Sequence, residues 1–320
     1  MFIKTNNEHL IINILGIKIK LRIKESDKTL KLLNYMYEND IYIKNKCVNI
    51  PNIKSHDDTL KVLVNSNKSI CRYGDGEFNI ILGVNIGFQD YSPQLAQRLK
   101  KILISKDKNI IIGIPDKFTN LDTYEPRTAY WWRDYMVNKR DKIYPLLDFE
   151  KQYYDSGISR PYIDLKNKLQ SPYYFNKLKG IWNDKDIVFV EGEFSRLGYG
   201  NNYFRNAKSI KRIICPAQNA YDKYNEILSK CLSLPKESLI IIALGPTATV
   251  LAYDLAQNGY RALDLGHIDI EYEWFIRKSK SREAIKNKYV NEIWNGKISS
   301  KLNDREYKSE IIYNLAQKGE

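Results

Sequence analysis

The sequence predicts an α/β fold: a Rossmann-like, mostly parallel sheet with helices on both faces, plus a small N-terminal hairpin and helix and a basic, helical C-terminal tail. Three observations predict it. Apolar runs between residues 55 and 275 are continuous rather than alternating, as strands buried on both faces are. Helix-like segments separate them, and that alternation belongs to doubly wound sheets. Polar and glycine residues crowd the end of almost every run, where such sheets bind ligands.

The elements follow in order. Residues 1–54 form an extension. There the Ile/Lys alternation of "LIINILGIKIKLRI" reads as a hairpin with one wet face, and "DKTLKLLNYMYEN" as a short helix. Residues 55–275 form the main domain. Its strands are "KSICRY", "NIIIGI", "DIVFVEG", "IKRIIC", "SLIIIAL" and "YRALDL". Its helices are "SPQLAQRLKKILIS", "PRTAYWWRDYMVNK", "PYYFNKLKGIWN", "AYDKYNEILSKCL" and "TATVLAYDLAQ". Residues 276–320 are polar and basic and read as a helical tail.

Composition narrows the class. With 320 residues, 43% hydrophobic and 28% charged, the chain can bury a large core. The net charge of +13 favours an anionic partner, whether nucleotide, nucleic acid or acidic membrane surface, although solubility alone would also account for it. Cys47, Cys71, Cys215 and Cys231 have neither zinc nor disulfide spacing, which suits a reduced cytoplasm. The N-terminus lacks the features of a signal peptide, and no apolar run reaches the roughly 18–20 residues of a spanning helix.

Four clusters at strand ends carry chemistry. In "RYGDGEF", Asp75 and Glu77 stand two apart between glycines; on an extended turn they would share a face. Paired carboxylates repel unless protonated or bridged by a cation, and hard oxygen ligands suit Mg²⁺ or Mn²⁺ bound to substrate phosphates. A surface turn is the plainer reading of Gly-Asp-Gly-Glu, and its place after a buried strand favours the metal. "EFSRLGYGNN" offers Ser195, Arg196 and Gly198, and with Arg160 of "SGISRPY" makes an anion clamp, a salt bridge for Arg160 being the alternative. "GPTAT" places a helix start at Gly245 and Thr247, either as a phosphate site or as an ordinary cap. "DLGHIDIEYEW" gathers His267, Asp264, Asp269, Glu271 and Glu273. His267 reads as a third metal ligand or base, or as a hydrogen-bonded core histidine.

Taken together, "RYGDGEF", "GISRPY", "VEGEFSRLGYGNNYF", "SIKRIICPAQNAYDKY" and "LGPTATVLAYDLAQNGYRALDLGHIDIEYEW" resemble, in matching order, the bacterial glycosyltransferases of the GT-D fold. The resemblance spans about residues 55–275. It implies a D-x-E metal motif at Asp75 and Glu77 with His267 beside it, a manganese or magnesium ion, and a UDP-sugar donor such as UDP-glucose. It implies donor contacts at Arg72, Gly74, Arg160, Ser195, Arg196, Gly198, Asn201, Gly245 and Thr247, and a catalytic base at Glu273, with Glu271 next. The implied acceptor is a cell-surface glycan or a glycoprotein's glycan. The implied setting is the cytoplasm, with the basic ends free to meet the inner membrane. The alternatives are a basic protein binding nucleic acid or a membrane surface, against which no RNA- or DNA-binding pattern appears, and a metal-dependent nucleotide-sugar hydrolase.

Overall fold

The computed structural model describes residues 49–293, 296 and 302–316, together with the backbone of residues 2–6, 9–14 and 17–22. The chain divides into two units. One comprises Met1–Asn49 and Pro126–Arg140, the other Ile50–Glu125 and Asp141–Glu320. In the first, β1 (Phe2–Asn6), β2 (His9–Ile14) and β3 (Ile17–Arg22) form an antiparallel sheet in chain order. The β2–β3 pair, registered His9 to Arg22 and Ile14 to Ile17, is the expected hairpin, and β1 adds a strand to it. The helix expected over "DKTLKLLNYMYEN" lies outside the described residues.

The second unit holds one eight-stranded sheet, parallel throughout. Its strands are β4 (Ser69–Arg72), β5 (Ile110–Ile114), β6 (Tyr154–Asp155), β7 (Asp186–Gly192), β8 (Ser209–Cys215), β9 (Leu239–Ala243), β10 (Arg261–Asp264) and β11 (Ile311–Asn314). Their order across the sheet is β11-β8-β7-β9-β10-β4-β5-β6. From β4 the chain steps outward to β5 and β6; from β7 it steps the other way to β8, then returns through β9 to β10. Two switch points result, one between β10 and β4 and one between β7 and β9. Loops diverge there and leave crevices at the carboxyl ends of the strands.

Right-handed crossovers in opposite directions place helices on opposite faces. On one face pack α2 (Asp75–Ile81), α3 (Pro93–Leu103), α6 (Tyr224–Leu232) and α7 (Pro246–Gln257), with α7 against β4 and β10. On the other lie α1 (His56–Asn65), α5 (Ser171–Lys179) and α8 (Ile268–Ile276), which share a core of Leu60, Leu63, Phe175, Trp182, Ile270 and Trp274. Helix α4 (Pro126–Ile143) begins in the first unit. The caps are those the sequence supplies: Ser55 accepts from Asp58 N, and Ser92 precedes Pro93 at the first helical position. Among the described residues no helix is long and apolar enough to cross a membrane.

The C-terminal region departs from the expected helical tail. Its described residues contain one short helix, α9 (Arg305–Ser309), and the edge strand β11, paired with β8. Buried Arg212 anchors this strand, binding Glu310 at 2.5 Å and Glu191 of β7 at 2.6 Å. Residues 285–290 are pinned as well: Tyr289 N donates to Phe194 O and Arg196 Nη1 to Asn287 O.

Candidate active site

The crevice between β10 and β4 holds the opening motif. Asp75 and Glu77 lie in the first turn of α2, not on an extended turn. Two helical residues point about 200° apart, so they do not share a face as strand residues would. Glu77 turns back, and its Oε2 accepts from Gly74 N at 2.7 Å. Gly74 is therefore the cap of this helix, its N–H occupied by Glu77. Burial pushes the Glu77 carboxyl up to about 7, helped by Asp264 and, less, Asp75. Burial also raises Asp75, opposed by the positive charge of Arg160.

Arg72, expected to meet the donor, is a strand clasp. Its Nη2 reaches Asp264 Oδ1 at 2.9 Å, its Nε the Asp264 carbonyl at 2.5 Å, and its Nη1 the Ser156 carbonyl at 3.2 Å. The exits of β4, β10 and β6 are thereby tied together. Gly266, at φ +45°, makes room: a Cβ there would lie 2.5 Å from Arg72 Nη2. Burial raises Asp264 and Arg72 opposes the rise; Thr249 Oγ1 closes the clasp on Arg72 O at 2.8 Å.

Beside this mouth lies a second cluster. Arg160 donates to Glu292 and has Asp164 and Glu271 within 4.0 Å, so the salt-bridge alternative holds. Arg282 binds both Asp164 and Glu292. His267 precedes α8, with Nε2 3.7 Å from Glu292 Oε1. Burial, then Arg160, lowers its pKa to about 4, so the imidazole is neutral near pH 7. Glu271 is fully buried. Its Oε2 accepts from Tyr162 N and Ile163 N, its Oε1 has no hydrogen-bond partner, and burial with Asp164 pushes it up to about 8. It holds the 160–163 loop and is not presented as a base.

Glu273, the expected base, belongs to a third cluster behind the mouth. Its Oε1 accepts from Asn201 Nδ2 at 2.8 Å and Lys288 Nζ at 3.0 Å. Lys288, also buried, pairs with Asp269 at 2.6 Å. Asn201 bridges Asp269 and Glu273, and Gly198 N donates to Asp269 Oδ1 at 2.9 Å, so both tie the β7 exit loop to α8 instead of facing a donor. Arg196 is 2% exposed and engaged by Asn287.

At the other switch point, Ser195 N donates to Gly192 O and its side chain is half-buried at the β7 exit. Gly245 is roofed by Phe88: a Cβ would meet Phe88 Cε2 at 2.3 Å. Thr247 is fully buried, its hydroxyl 3.4 Å from Gln89 Oε1. The loop carrying Phe88 and Gln89 thus covers the expected phosphate turn, and Asn219 N holds it by donating to Phe88 O.

Do these residues fit a divalent cation? Among the described residues no three His, Cys, Asp or Glu side chains form a ready cage. Asp75 and Glu77 nonetheless face burial and like charge, which a cation would relieve. Asp75, Glu77 and Asp264 meet there, with Arg72 engaged on Asp264 and Arg160 acting on Asp75. That suits an ion taking one or two carboxylates plus water and phosphate oxygens, so the donor set fits.

Sequence reading missed Arg282, Lys288 and Glu292, which lie in the stretch assigned to the tail. It also missed the roles of Asp164, Ser156 and the Phe88 loop. None carries a local motif.

An all-parallel sheet with carboxylates gathered at a switch point belongs to the open α/β class, which binds ligands at such crevices, and comparison narrows it. The sequence model of the glycosyltransferase GT-D fold matches residues 70–293, and the chain belongs to that family of glycosyltransferases. It is 40% identical over 271 residues to a probable glycosyl transferase Gly of Streptococcus gordonii. It is 37% identical over 268 residues to glycosyltransferase GlyD of Streptococcus pneumoniae. Each match covers 83% of this chain but only 39% and 33%, respectively, of those longer proteins. Among solved structures, a glycosyltransferase of the DUF1792 family from Streptococcus sanguinis superposes with a TM-score of 0.78 at 39% identity, covering 83% of this chain and all of that one. Another, described as domain of unknown function 1792 with a distinct glycosyltransferase fold, gives 0.79 at 35%, covering 89% and 99%.

Proposed function

We propose that this chain transfers a hexose, glucose first among candidates, from a UDP-sugar to a hydroxyl of a cell-surface glycan or a glycoprotein's glycan. Asp75 and Glu77 would hold a manganese or magnesium ion. The observation that carries this reading is the meeting of half-buried Asp75 and Glu77 with buried Asp264 at the β10–β4 switch point, their carboxyls all raised by desolvation, at the place where α/β sheets bind ligands. When bound, the ion supplies Lewis acidity to the leaving diphosphate. Arg160, the cation acting most strongly on Asp75, is placed to take the remaining phosphate charge. Arg72 and Gly266 keep the two strand exits in register. Glu271 and Glu273 are not assigned the base role, since their hydrogen bonds tie them to the loops around α8. The work is placed at the cytoplasmic face of a membrane, whose anionic lipids the +13 charge would favour.

Thermal unfolding with a panel of nucleotide sugars tests this. UDP-glucose with Mn²⁺ stabilises the protein, by about 2.7 kcal/mol at a hundredfold excess over Kd, and chelator removes the effect. Stabilisation that persists in chelator sinks the metal role. Product analysis with a glycan acceptor separates transfer from hydrolysis: free glucose alone would make the protein a nucleotide-sugar hydrolase.

A further inference from the structure

After burial, Arg160 is the strongest influence on Asp75. It is nonetheless occupied by a carboxylate from 132 residues further along the chain, Glu292. The side chains of Arg160 and Glu292 are 24% and 18% exposed, so the pair stands where solvent and ligand can reach it. Glu292 acts on Asp75 too, in the opposite sense. Although burial raises it, Arg160 holds its carboxyl far below the usual range. A carboxylate set on a guanidinium presents two oxygens and a negative charge, as one edge of a phosphate does.

The charge count explains why this matters. Arg160 and Arg282 balance Asp164 and Glu292, while burial keeps Glu271 protonated up to about pH 8. Among the described residues the cluster therefore has no spare cation for an incoming anion. A diphosphate at Asp75 gains Arg160 only by exchanging with Glu292. The exchange would not strand Glu292, because Arg282 Nε stays 2.6 Å from its other oxygen.

We propose that Glu292 is a positioning residue that mimics phosphate: it holds Arg160 in the free protein and yields it to the diphosphate of the donor. Donor binding is thereby coupled to the opening of the Arg160–Glu292 pair, while Arg282 and Lys288 keep the segment in place. The inference rests on the reading of this mouth as a diphosphate site, but not on the sugar or its nucleoside.

Calorimetric titration of the full chain with inorganic pyrophosphate tests it, in wild type, Glu292→Gln, Arg160→Gln and the double variant. Glu292→Gln is expected to bind pyrophosphate about tenfold more tightly, about 1.4 kcal/mol, because one charge-assisted competitor is gone. In the Arg160→Gln background the same change is expected to gain nothing, which a merely structural role would not produce. Equal or weaker binding by Glu292→Gln, an equal gain without Arg160, or no pyrophosphate binding in either wild type or Glu292→Gln overturns the proposal. Should Glu292→Gln not fold, Glu292→Asp keeps the charge for Arg282 and shortens the reach to Arg160; a smaller gain supports the exchange, and none refutes it. Tighter pyrophosphate binding with no response to any UDP-sugar would leave the exchange standing and sink the donor reading.

Discussion

At the exit of β4, burial raises both Asp75 and Glu77; Asp264 and Asp75 raise Glu77 further, while Arg160 opposes the rise of Asp75. Along α8, Asp269 and Glu273 share a buried lysine, and Glu271 caps two backbone amides. Written out, both tracts are closely spaced acids at a strand end. In the fold the first tract gathers acids whose carboxyls burial raises, whereas the second closes on the buried Lys288. The difference lies in what distant segments contribute, above all residues 279–293. Carboxylates closed on a buried lysine hold a structure together, whereas carboxylates raised by burial and by one another gain from an added cation.

The comparison can be broken most forcefully at Lys288. Lys288→Met leaves Asp269 and Glu273 buried without the lysine they share, with Arg277 still 3.4 Å from Glu273, and we expect a loss of about 3–5 kcal/mol in urea unfolding. A loss below about 1 kcal/mol would show that the α8 tract does not depend on its lysine.

The opposite pattern is expected at the other tract. Asp75→Asn or Glu77→Gln should lower sugar transfer at least about a hundredfold while the unfolding midpoint stays close to wild type. Glu77→Gln keeps an acceptor for Gly74 N, so the cap survives. Transfer at the wild-type rate by either variant would remove the carboxylates from the chemistry.

Acid–base linkage sharpens the contrast further. Folded Glu77 and Glu271 titrate near 7 and 8, above the ordinary 4.5, so the folded state binds more protons in that window. Without metal, stability should fall as pH rises from the ordinary value of 4.5 through those values, and the full contribution is present only below about 4.5. Mn²⁺ should flatten the part due to Glu77 and leave that due to Glu271, which Glu271→Gln alone removes. Urea midpoints measured across pH would detect this, and a profile insensitive to both Mn²⁺ and Glu271→Gln would contradict it.

The smallest effect is expected at Gly266. An added Cβ would press on Arg72 and strain a left-handed φ, so Gly266→Ala should cost about 1–3 kcal/mol and reduce transfer by disturbing the Arg72–Asp264 clasp. Unchanged stability and rate would mean the clasp can give way freely.

The legible parts share a physical basis. The six strand runs were found because both faces of a central parallel strand are buried, which leaves a continuous apolar signal. β6 has two residues and β11 is half-buried at an edge, so neither carries that signal. The helical start at Asp75 reads as a turn in the sequence because Gly-Asp-Gly-Glu suits either, and the bond from Gly74 N to Glu77 Oε2 decides it. Arg72, Arg160 and Arg196 are residues that would suit a phosphate, but their partners Asp264, Glu292 and Asn287 lie 192, 132 and 91 residues away.

By itself the sequence determined the α/β class, the strands of the central sheet, the edge on which polar residues gather, and the family motifs, because burial, periodicity and turn chemistry act over a few residues. Contacts across the fold settled which arginines are already engaged and which acids share a buried lysine, and they bring residues 282–292 beside the candidate site. Those are questions of electrostatic neutralisation, and the neutralising charge comes from wherever the fold brings it within a few ångströms.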